Sequence, residues 1–378
     1  MSRIEELIKE KCPNGVIYKK LADVVPVNRG SRLTKSQLSE NGIYEVYHGS
    51  KDVPLGKYDK YNTLGDTVIV VNTGGIGGVK YLKDNFWCSD GSFNIGHSEQ
   101  LNNKFLYHFL SQYESYFLSQ KRIGGVPTID RNVVENIKIP LLPMEVQKEI
   151  VKILDKFGEL EAELEAELEA RKSQYEFWRG KLLNSGTEIV KLKDVAEYSK
   201  DRIGFNELNE DNYVGVDNLL QNKMGKTKSS HIPTSGNSTR YDINDILIGN
   251  IRPYLRKIWM ADCYGGTNGD VLDIRVKNQN YIYPRFLYYV LSSENFFEYN
   301  NSNAKGAKMP RGDKQAIMNY EFKVPEYEEQ KKIVKILDRF DRLVNSIVDG
   351  LPAEIEARRK QYEYYRNKLL SFGEVSCE

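Results

Sequence analysis

Hydrophobic residues fall in two textures along the chain. Residues 1–143 and 186–325 carry them in short runs separated by Gly, Asn and Asp, whereas 144–185 and 326–378 space them three and four apart in a charged background. Short apolar runs bounded by turn residues predict strands. Thr67-Val-Ile-Val-Val71, Val79-Lys-Tyr-Leu82 and Ile137-Lys-Ile-Pro140 are the clearest of these. Phe105, Leu106, Phe109, Leu110, Tyr113 and Phe117 recur at helical steps and predict one helix from Asn103 to Leu118. The run-rich regions therefore read as mixed α/β globules and the charged stretches as long helices.

The first long helix, from about Glu145 to Leu183, has a narrow stripe of Ile150, Ile153, Leu154, Phe157, Leu160 and Leu164 suited to a single partner helix. Its middle, Glu159-Leu-Glu-Ala-Glu-Leu-Glu-Ala-Glu-Leu-Glu-Ala170, consists of strong helix formers. At about 1.5 Å per residue such a helix reaches nearly 60 Å, which is a spacer's length. The glutamates make a solvated face that repels phosphate, so this part is not expected to lie on nucleic acid.

The same helix is written twice. Gln147-Lys-Glu-Ile-Val-Lys-Ile-Leu-Asp-Lys-Phe157 returns as Gln330-Lys-Lys-Ile-Val-Lys-Ile-Leu-Asp-Arg-Phe340, whose stripe is Ile333, Ile336, Leu337 and Phe340. Ala170-Arg-Lys-Ser-Gln-Tyr-Glu-Phe-Trp-Arg-Gly-Lys-Leu-Leu183 returns as Ala357-Arg-Arg-Lys-Gln-Tyr-Glu-Tyr-Tyr-Arg-Asn-Lys-Leu-Leu370. The offset grows from 183 to 187 residues, which places a four-residue insertion near Asp349-Gly-Leu-Pro352. Proline there should interrupt the second helix. Gly186 and Gly373 follow the two copies at matching distance, as left-handed helix ends would.

The globules repeat in order more than in letters. Lys191-Leu-Lys-Asp-Val195 echoes Lys20-Leu-Ala-Asp-Val24, and Asn244-Asp-Ile-Leu-Ile248 echoes Gly65-Asp-Thr-Val-Ile69. Arg285-Phe-Leu-Tyr-Tyr-Val-Leu291 restates Lys104-Phe-Leu-Tyr-His-Phe-Leu110, and Lys308-Met-Pro-Arg-Gly-Asp313 falls where Val126-Pro-Thr-Ile-Asp130 fell. A repeat half the chain long dictates the architecture. The expected class is α+β, with two mixed α/β domains separated by two long antiparallel helices, a coiled-coil spacer, about a pseudo-twofold axis. The boundaries are 1–143, 144–185, 186–325 and 326–378. Two unlike heads on a spacer suit a two-part target, since duplex DNA repeats a groove face roughly every 34 Å.

Composition narrows the function without choosing it. Hydrophobic residues at 40% and charged residues at 28% exclude a disordered chain. No long apolar run and no apolar leader core are present, so neither a membrane span nor a signal peptide is expected. Cys12, Cys88, Cys263 and Cys377 lack any C-x-x-C spacing and read as reduced thiols of a cytoplasmic protein. His48, His97, His108 and His231 are isolated, and no metal site is expected. The net charge of +1 divides into +3 for 1–143, −3 for 144–185, +2 for 186–325 and −1 for 326–378. The globules lean basic, which permits nucleic-acid binding through local patches.

Several motifs carry a family likeness. These are Pro143-Met-Glu-Val-Gln147, the Gln-x-x-Ile-Val-x-Ile-Leu-Asp core of both copies, the closing Leu-Leu, Gly124-Gly-Val-Pro-Thr-Ile-Asp130 and the Lys-Ile-Pro strand. They resemble the specificity subunit of type I restriction-modification systems, and the resemblance covers the whole chain. It implies a non-catalytic chain that binds double-stranded DNA, each target-recognition domain reading half of a split asymmetric site. It implies two methyltransferase subunits docked on the helices, with motor-nuclease subunits added to them. No cofactor is expected in this chain, and S-adenosylmethionine, ATP and magnesium are expected on those partners. Two other readings compete: a coiled-coil adaptor without a nucleic-acid partner, and a self-contained DNA methyltransferase or nuclease. The second lacks support, because no Asn-Pro-Pro-Tyr or Asp-Pro-Pro-Tyr tetrapeptide and no linked Ser/His/Asp or paired-acid set is found.

Groove reading needs cations for phosphate and Arg, Lys, Asn or Gln for base edges. In the first globule Arg29, Arg32 and Lys35 form one basic loop, with His48, Lys51, Asn72, Thr73, Lys80, Lys121 and Arg122 the further candidates. In the second they are Arg202, Arg240, Asn250, Arg252, Arg256, Lys257, Lys305, Lys308 and Arg311. Asn250 and Arg252 follow their strand as Asn72 and Thr73 follow theirs. Gly74-Gly-Ile-Gly-Gly78 lacks the G-x-G-x-x-G register and any Lys-Ser/Thr after it, so it reads as a tight turn admitting backbone to DNA.

Overall fold

The structure, a computed structural model, describes residues 3–122, 126–346 and 348–372. They form two compact units: unit 1 joins the residues up to Glu165 with those from Glu354 on, and unit 2 is Ala166–Ala353.

Unit 1 begins with α1 (Arg3–Lys11), a helix the apolar pattern did not disclose. Eight strands follow: β1 (Ile17–Lys20), β2 (Val27–Arg29), β3 (Tyr44–Tyr47), β4 (Gly56–Tyr58), β5 (Thr67–Val71), β6 (Val79–Leu82), β7 (Trp87–Cys88) and β8 (Ser92–Ile95). One sheet has the order β2-β8-β5-β6, and a second has β4-β3-β7 with β3 and β7 parallel. All five residues of β5 are buried, as a continuous apolar run requires of a strand covered on both faces. The expected 103–118 helix is two helices, α2 (Asn103–Ser111) and α3 (Glu114–Ser119). The break turns Glu114 onto the Val79 N–H and the Lys51 ammonium, at 2.8 Å each. After α4 (Arg131–Glu135), β9 (Lys138–Leu141) returns antiparallel to β1. Phe105, Leu106, Phe109 and Leu110 of α2 share a core with Val68, Val70, Phe93 and Ile95.

α5 (Met144–Leu183) is unbroken over 40 residues. Unit 2 then repeats the plan. β10 (Glu188–Lys191) and α6 (Leu192–Val195) lead to β11 (Ala196–Tyr198), β12 (Arg202–Gly204), β13 (Tyr213–Val214), β14 (Asn237–Tyr241), β15 (Ile246–Gly249), β16 (Ile258–Met260), β17 (Gly265–Thr267) and β18 (Val271–Val276). The sheet β11-β18-β15-β16 matches β2-β8-β5-β6, and β13 runs parallel to β17 as β3 does to β7. α7 (Pro284–Leu291), α8 (Glu294–Ser302), α9 (Lys314–Met318) and β19 (Glu321–Val324) follow, β19 pairing with β10 as β9 does with β1. Gly186 is not left-handed as expected. A Cβ there would sit 2.5 Å from the Val324 carbonyl carbon, so it is glycine because the chain passes hard against β19. Gly373 lies outside the described residues.

The second long helix is two, α10 (Tyr327–Asn345) and α11 (Leu351–Leu369). The insertion interrupts it as expected. Pro352 lies in the first turn of α11, where no intrahelical N–H is needed. Gly350 fits the end of α10, where a Cβ would lie 2.5 Å from the Arg342 carbonyl oxygen. Within unit 1 the start of α5 and α11 run antiparallel: Arg359 reaches Glu161 and Glu165 at 2.6 Å each, and Phe157 stacks on Tyr365 at 5.4 Å. Unit 2 closes with the corresponding stack, Tyr175 on Phe340 at 6.0 Å.

One buried group sets a pH dependence. In β18, Asp273 is 3% exposed and, among the described residues, neither carboxylate oxygen has a hydrogen-bond partner. Burial, then the neighbouring Asp245 charge, pushes its pKa up to about 8. Between roughly pH 4 and that value the folded state keeps a proton that the unfolded state has lost, so stability falls as pH rises through the window. Asp273 faces Leu247 in register, as Asn94 faces Ile69 in unit 1. Asp273→Asn is accordingly expected to raise the stability of unit 2 at pH 8 by roughly 1–3 kcal/mol and to flatten the pH profile. Urea titrations at pH 5 and pH 8 measure this, and an unchanged difference between them would contradict it.

Cys12, Cys88 and Cys263 are free thiols, and Cys377 lies outside the described residues. Among the described residues no helix is long and apolar enough to cross a membrane, and no His/Cys/Asp/Glu group is arranged to hold a metal.

Candidate nucleic-acid interface

Within each unit, two loops are joined by the same pattern of backbone hydrogen bonds. Beyond β5, Asn72 accepts from the Ile129 N–H at 3.0 Å and Thr73 bridges Thr128. Beyond β15, Asn250 accepts from the Gly312 N–H at 3.1 Å and Ile251 bridges Arg311. The partner loops are also alike: Arg122 bridges Thr128 and its side chain pairs with Asp130, while Lys305 bridges Arg311 and pairs with Asp313. Asn72 and Asn250 are both buried, so they shape the platform and do not present side chains to a ligand. Gly124 and Gly125, expected to turn this loop, lie outside the described residues; Val126 is exposed at its edge, as Met309 is in unit 2.

The cations expected to bind DNA separate into two groups. Many are already neutralised: Lys51 grips both oxygens of Glu114 at 2.8 Å, Arg256 holds Glu294 at 2.6 Å, Arg240 holds Asp242 at 3.0 Å and Arg311 holds Asp270 at 3.0 Å. His48 lies 3.3 Å from Asp90. Lys257 donates to the Val216 carbonyl, and desolvation lowers its pKa. Lys80 lies over the Tyr47 ring, and Thr73 is half-buried. Arg29 donates to the Asp90 carbonyl and Arg202 to Thr239 while remaining exposed. Arg32, Lys35, Lys121, Arg252 and Lys308 are exposed and, among the described residues, have no carboxylate partner. These five are the cations most available to phosphate or base.

The glycine loop serves the protein itself more than an approaching ligand. Gly74 (φ +80°) and Gly77 (φ +83°) are left-handed, and a Cβ would meet the Gly49 carbonyl oxygen at 2.7 Å or Phe117 Cβ at 2.8 Å. The turn is tight because the His48–Ser50 loop and α3 press on it, so only Gly74 and Gly75 are exposed.

Where the long helices meet the globules, the repeated motifs become clasps. Gln147 Oε1 accepts from the Asn102 N–H at 2.8 Å, and its Nε2 donates to the Gln100 and Leu142 carbonyls. Gln330 makes the same three bonds to Tyr283, Tyr281 and Pro325. Asp155 binds Lys104 and His108, and Asp338 binds Arg285 and Tyr289. Ile150 and Leu154 lie fully inside the unit 1 core with Ile153 against it, and Ile333 and Leu337 lie inside that of unit 2 with Phe340 against it. The stripe thus packs on its globule first, and Phe157 and Phe340 carry the helix-to-helix contact. Ile336 is 41% exposed, and Val334 lies in the core beside Ile333 and Leu337.

The family profile for the type I restriction modification DNA specificity domain matches residues 13–170 and 184–357. The chain belongs to that family. A putative type I restriction enzyme specificity subunit of Haemophilus influenzae is 28% identical over 92% of this chain and 93% of its own. The EcoR124I/EcoR124II specificity subunit of Escherichia coli is 30% identical over 71% of this chain and 70% of its own. The fold is shared with the type I restriction-modification S subunit of M. genitalium, at TM-score 0.59, 18% identity and coverage of 94% and 96%. It is also shared with a chain from a study of complex assembly and conformational transition in a type I system, at TM-score 0.63, 15% identity and coverage of 95% and 98%.

In this specificity-domain chain, reasoning from sequence missed the acids that occupy the cations. Glu114, Asp270 and Glu294 lie 38 to 63 residues from their partners, so no local pattern marks them. The two clasping glutamines were visible as a repeated motif, but their role appears only with the loops they hold.

Proposed function

We propose that the chain gives DNA sequence specificity to a type I restriction-modification complex, each unit reading one part of a bipartite duplex target. The observation that carries this is the pair of matched tip platforms, built by identical backbone pairing yet bearing different side chains: Gly74 and Thr128 in one, Arg252 and Arg311 in the other. Same scaffold with unlike surface is what reading two unlike half-sites requires. The recognition regions are 1–143 and 186–325, and the helices between and after them are the spacer. The family is a recognised non-catalytic subunit, and on this reading the chain performs no chemistry itself. Methyl transfer, with S-adenosylmethionine, and cleavage, with ATP and magnesium, belong to partner subunits. Two methyltransferase subunits dock on the helices, where Phe177 and Tyr364 occupy equivalent repeat positions and are 64% and 63% exposed.

The test is to purify the chain with its methyltransferase and map methylation on random-sequence DNA. A single motif of two fixed blocks around an unspecified gap is expected. Binding should weaken steeply with salt, losing several powers of ten between roughly 50 and 200 mM if six or more phosphates are contacted. A continuous motif, or methyl transfer by the chain alone, would refute the assignment.

A further inference from the structure

We propose that Arg252 reads a guanine in the half-site of unit 2, through paired hydrogen bonds to its O6 and N7, while unit 1 has no side-chain reader at the matching position. The inference rests on the DNA-reading function proposed above. Gly74 and Arg252 each stand two residues beyond the strand-end asparagine, and both are left-handed, with φ +80° and +53°. The second left-handed residue of each loop is Gly77 in unit 1 and Arg256 in unit 2, with φ +83° and +53°. Both loops carry a pair of left-handed residues, three apart in unit 1 and four apart in unit 2, glycines in the one and arginines in the other.

Arginine in that region is strained, because Cβ crowds the following carbonyl. A strained residue persists where its surroundings hold it, and such positions gather at binding sites. The Arg252 N–H donates to the Pro310 carbonyl at 2.7 Å, its carbonyl accepts from the Leu255 N–H at 2.8 Å, and the next residue, Pro253, is buried. The root of the side chain is therefore fixed, while its guanidinium is exposed and unpaired among the described residues. Arg256 has the opposite fate: Glu294 holds it with two contacts, at 2.9 and 2.6 Å. Phosphate can be gripped by any flexible lysine, and exposed Lys308 stands on the neighbouring loop. A fixed root matters for directional, two-pronged recognition, for which guanine is the usual base partner of arginine. In unit 1 no such side chain fits, since a Cβ on Gly74 would meet the Gly49 carbonyl oxygen at 2.7 Å. In unit 2 the segment after β13 bonds instead to the Leu255 and Arg256 carbonyls, through the Asn222 and Lys223 N–H groups.

The experiment compares the full chain with Arg252→Gly and Arg252→Lys, each assembled with its methyltransferase, by selection from a randomised duplex library. Glycine keeps the left-handed backbone, so the variant should unfold at the same or a higher temperature. The wild type should show a guanine at one fixed position, and Arg252→Gly should lose roughly 10- to 100-fold discrimination there alone. Arg252→Lys should lose most of the same preference, because one ammonium cannot reproduce the paired donors. Two results would overturn the proposal: a uniform loss of affinity over all sequences with a salt slope reduced by about one, the mark of a phosphate contact, or full preference kept by the lysine variant. A wild type without any sequence preference would instead sink the DNA-reading function beneath it.

Discussion

Gln330→Ala is expected to destabilise unit 2 by roughly 3 kcal/mol, and Gln147→Ala to do the same to unit 1. Both side chains are fully buried and make three hydrogen bonds apiece to backbone groups, between 2.7 and 3.0 Å. Truncation removes the partner of an N–H and two carbonyls, of which the Leu142 or Pro325 carbonyl is bonded in the buried interior, and a buried group left unpaired costs about 1–3 kcal/mol. Gln→Glu should not rescue, because a carboxylate accepts from the N–H but cannot donate to the two carbonyls. Urea unfolding can be followed through Trp87 in unit 1 and Trp178 and Trp259 in unit 2. A midpoint that stays where it was in either variant would show that the glutamine is not the clasp described.

Phe177→Ala and Tyr364→Ala are each expected to release one of the two proposed methyltransferase subunits. Equivalent residues of the repeat, equally exposed, should meet equivalent surfaces on two copies of one partner. Large aromatic anchors of an interface are worth about 2–4 kcal/mol each, which weakens binding by roughly 30- to 1,000-fold. Neither ring is held by its own unit's core, so the free chain should keep its thermal stability. Sedimentation of the assembled complex distinguishes the outcomes. Stoichiometry should fall from two partners to one in either single variant and to none in the double. Retention of both partners, or loss of both from one substitution, would exclude the twofold docking scheme.

The fold could be read from the sequence where local chemistry repeats. The alternation of run-rich and charged stretches, the doubled Gln-to-Phe motif and the offset of four residues foretold the element order and the break before Leu351. Reading failed where distant parts decide. Asn103–Leu118 has an uninterrupted helical pattern, yet Val79 and Lys51 draw Glu114 aside and split it. Ser293, by contrast, caps α8 with its side chain and marks the same break openly in unit 2. Val334, outside the named stripe, is buried, while Ile336 within it is 41% exposed. At the candidate interface the sequence names basic residues as candidates. Which of them are free was hidden, because Glu114, Glu294 and Asp270 come from elsewhere in the chain.

Unit 2 is one continuous stretch, whereas the core of unit 1 includes Leu370 and packs Leu369 and Phe372 against residues near the other end of the chain. On the ribosome, then, the half encoded first cannot be finished first. About 190 residues separate Glu165 from the helix that completes it, a delay of roughly 10–40 s at ordinary translation speeds. During that interval the nascent first half waits with part of its apolar surface open while the second half becomes whole.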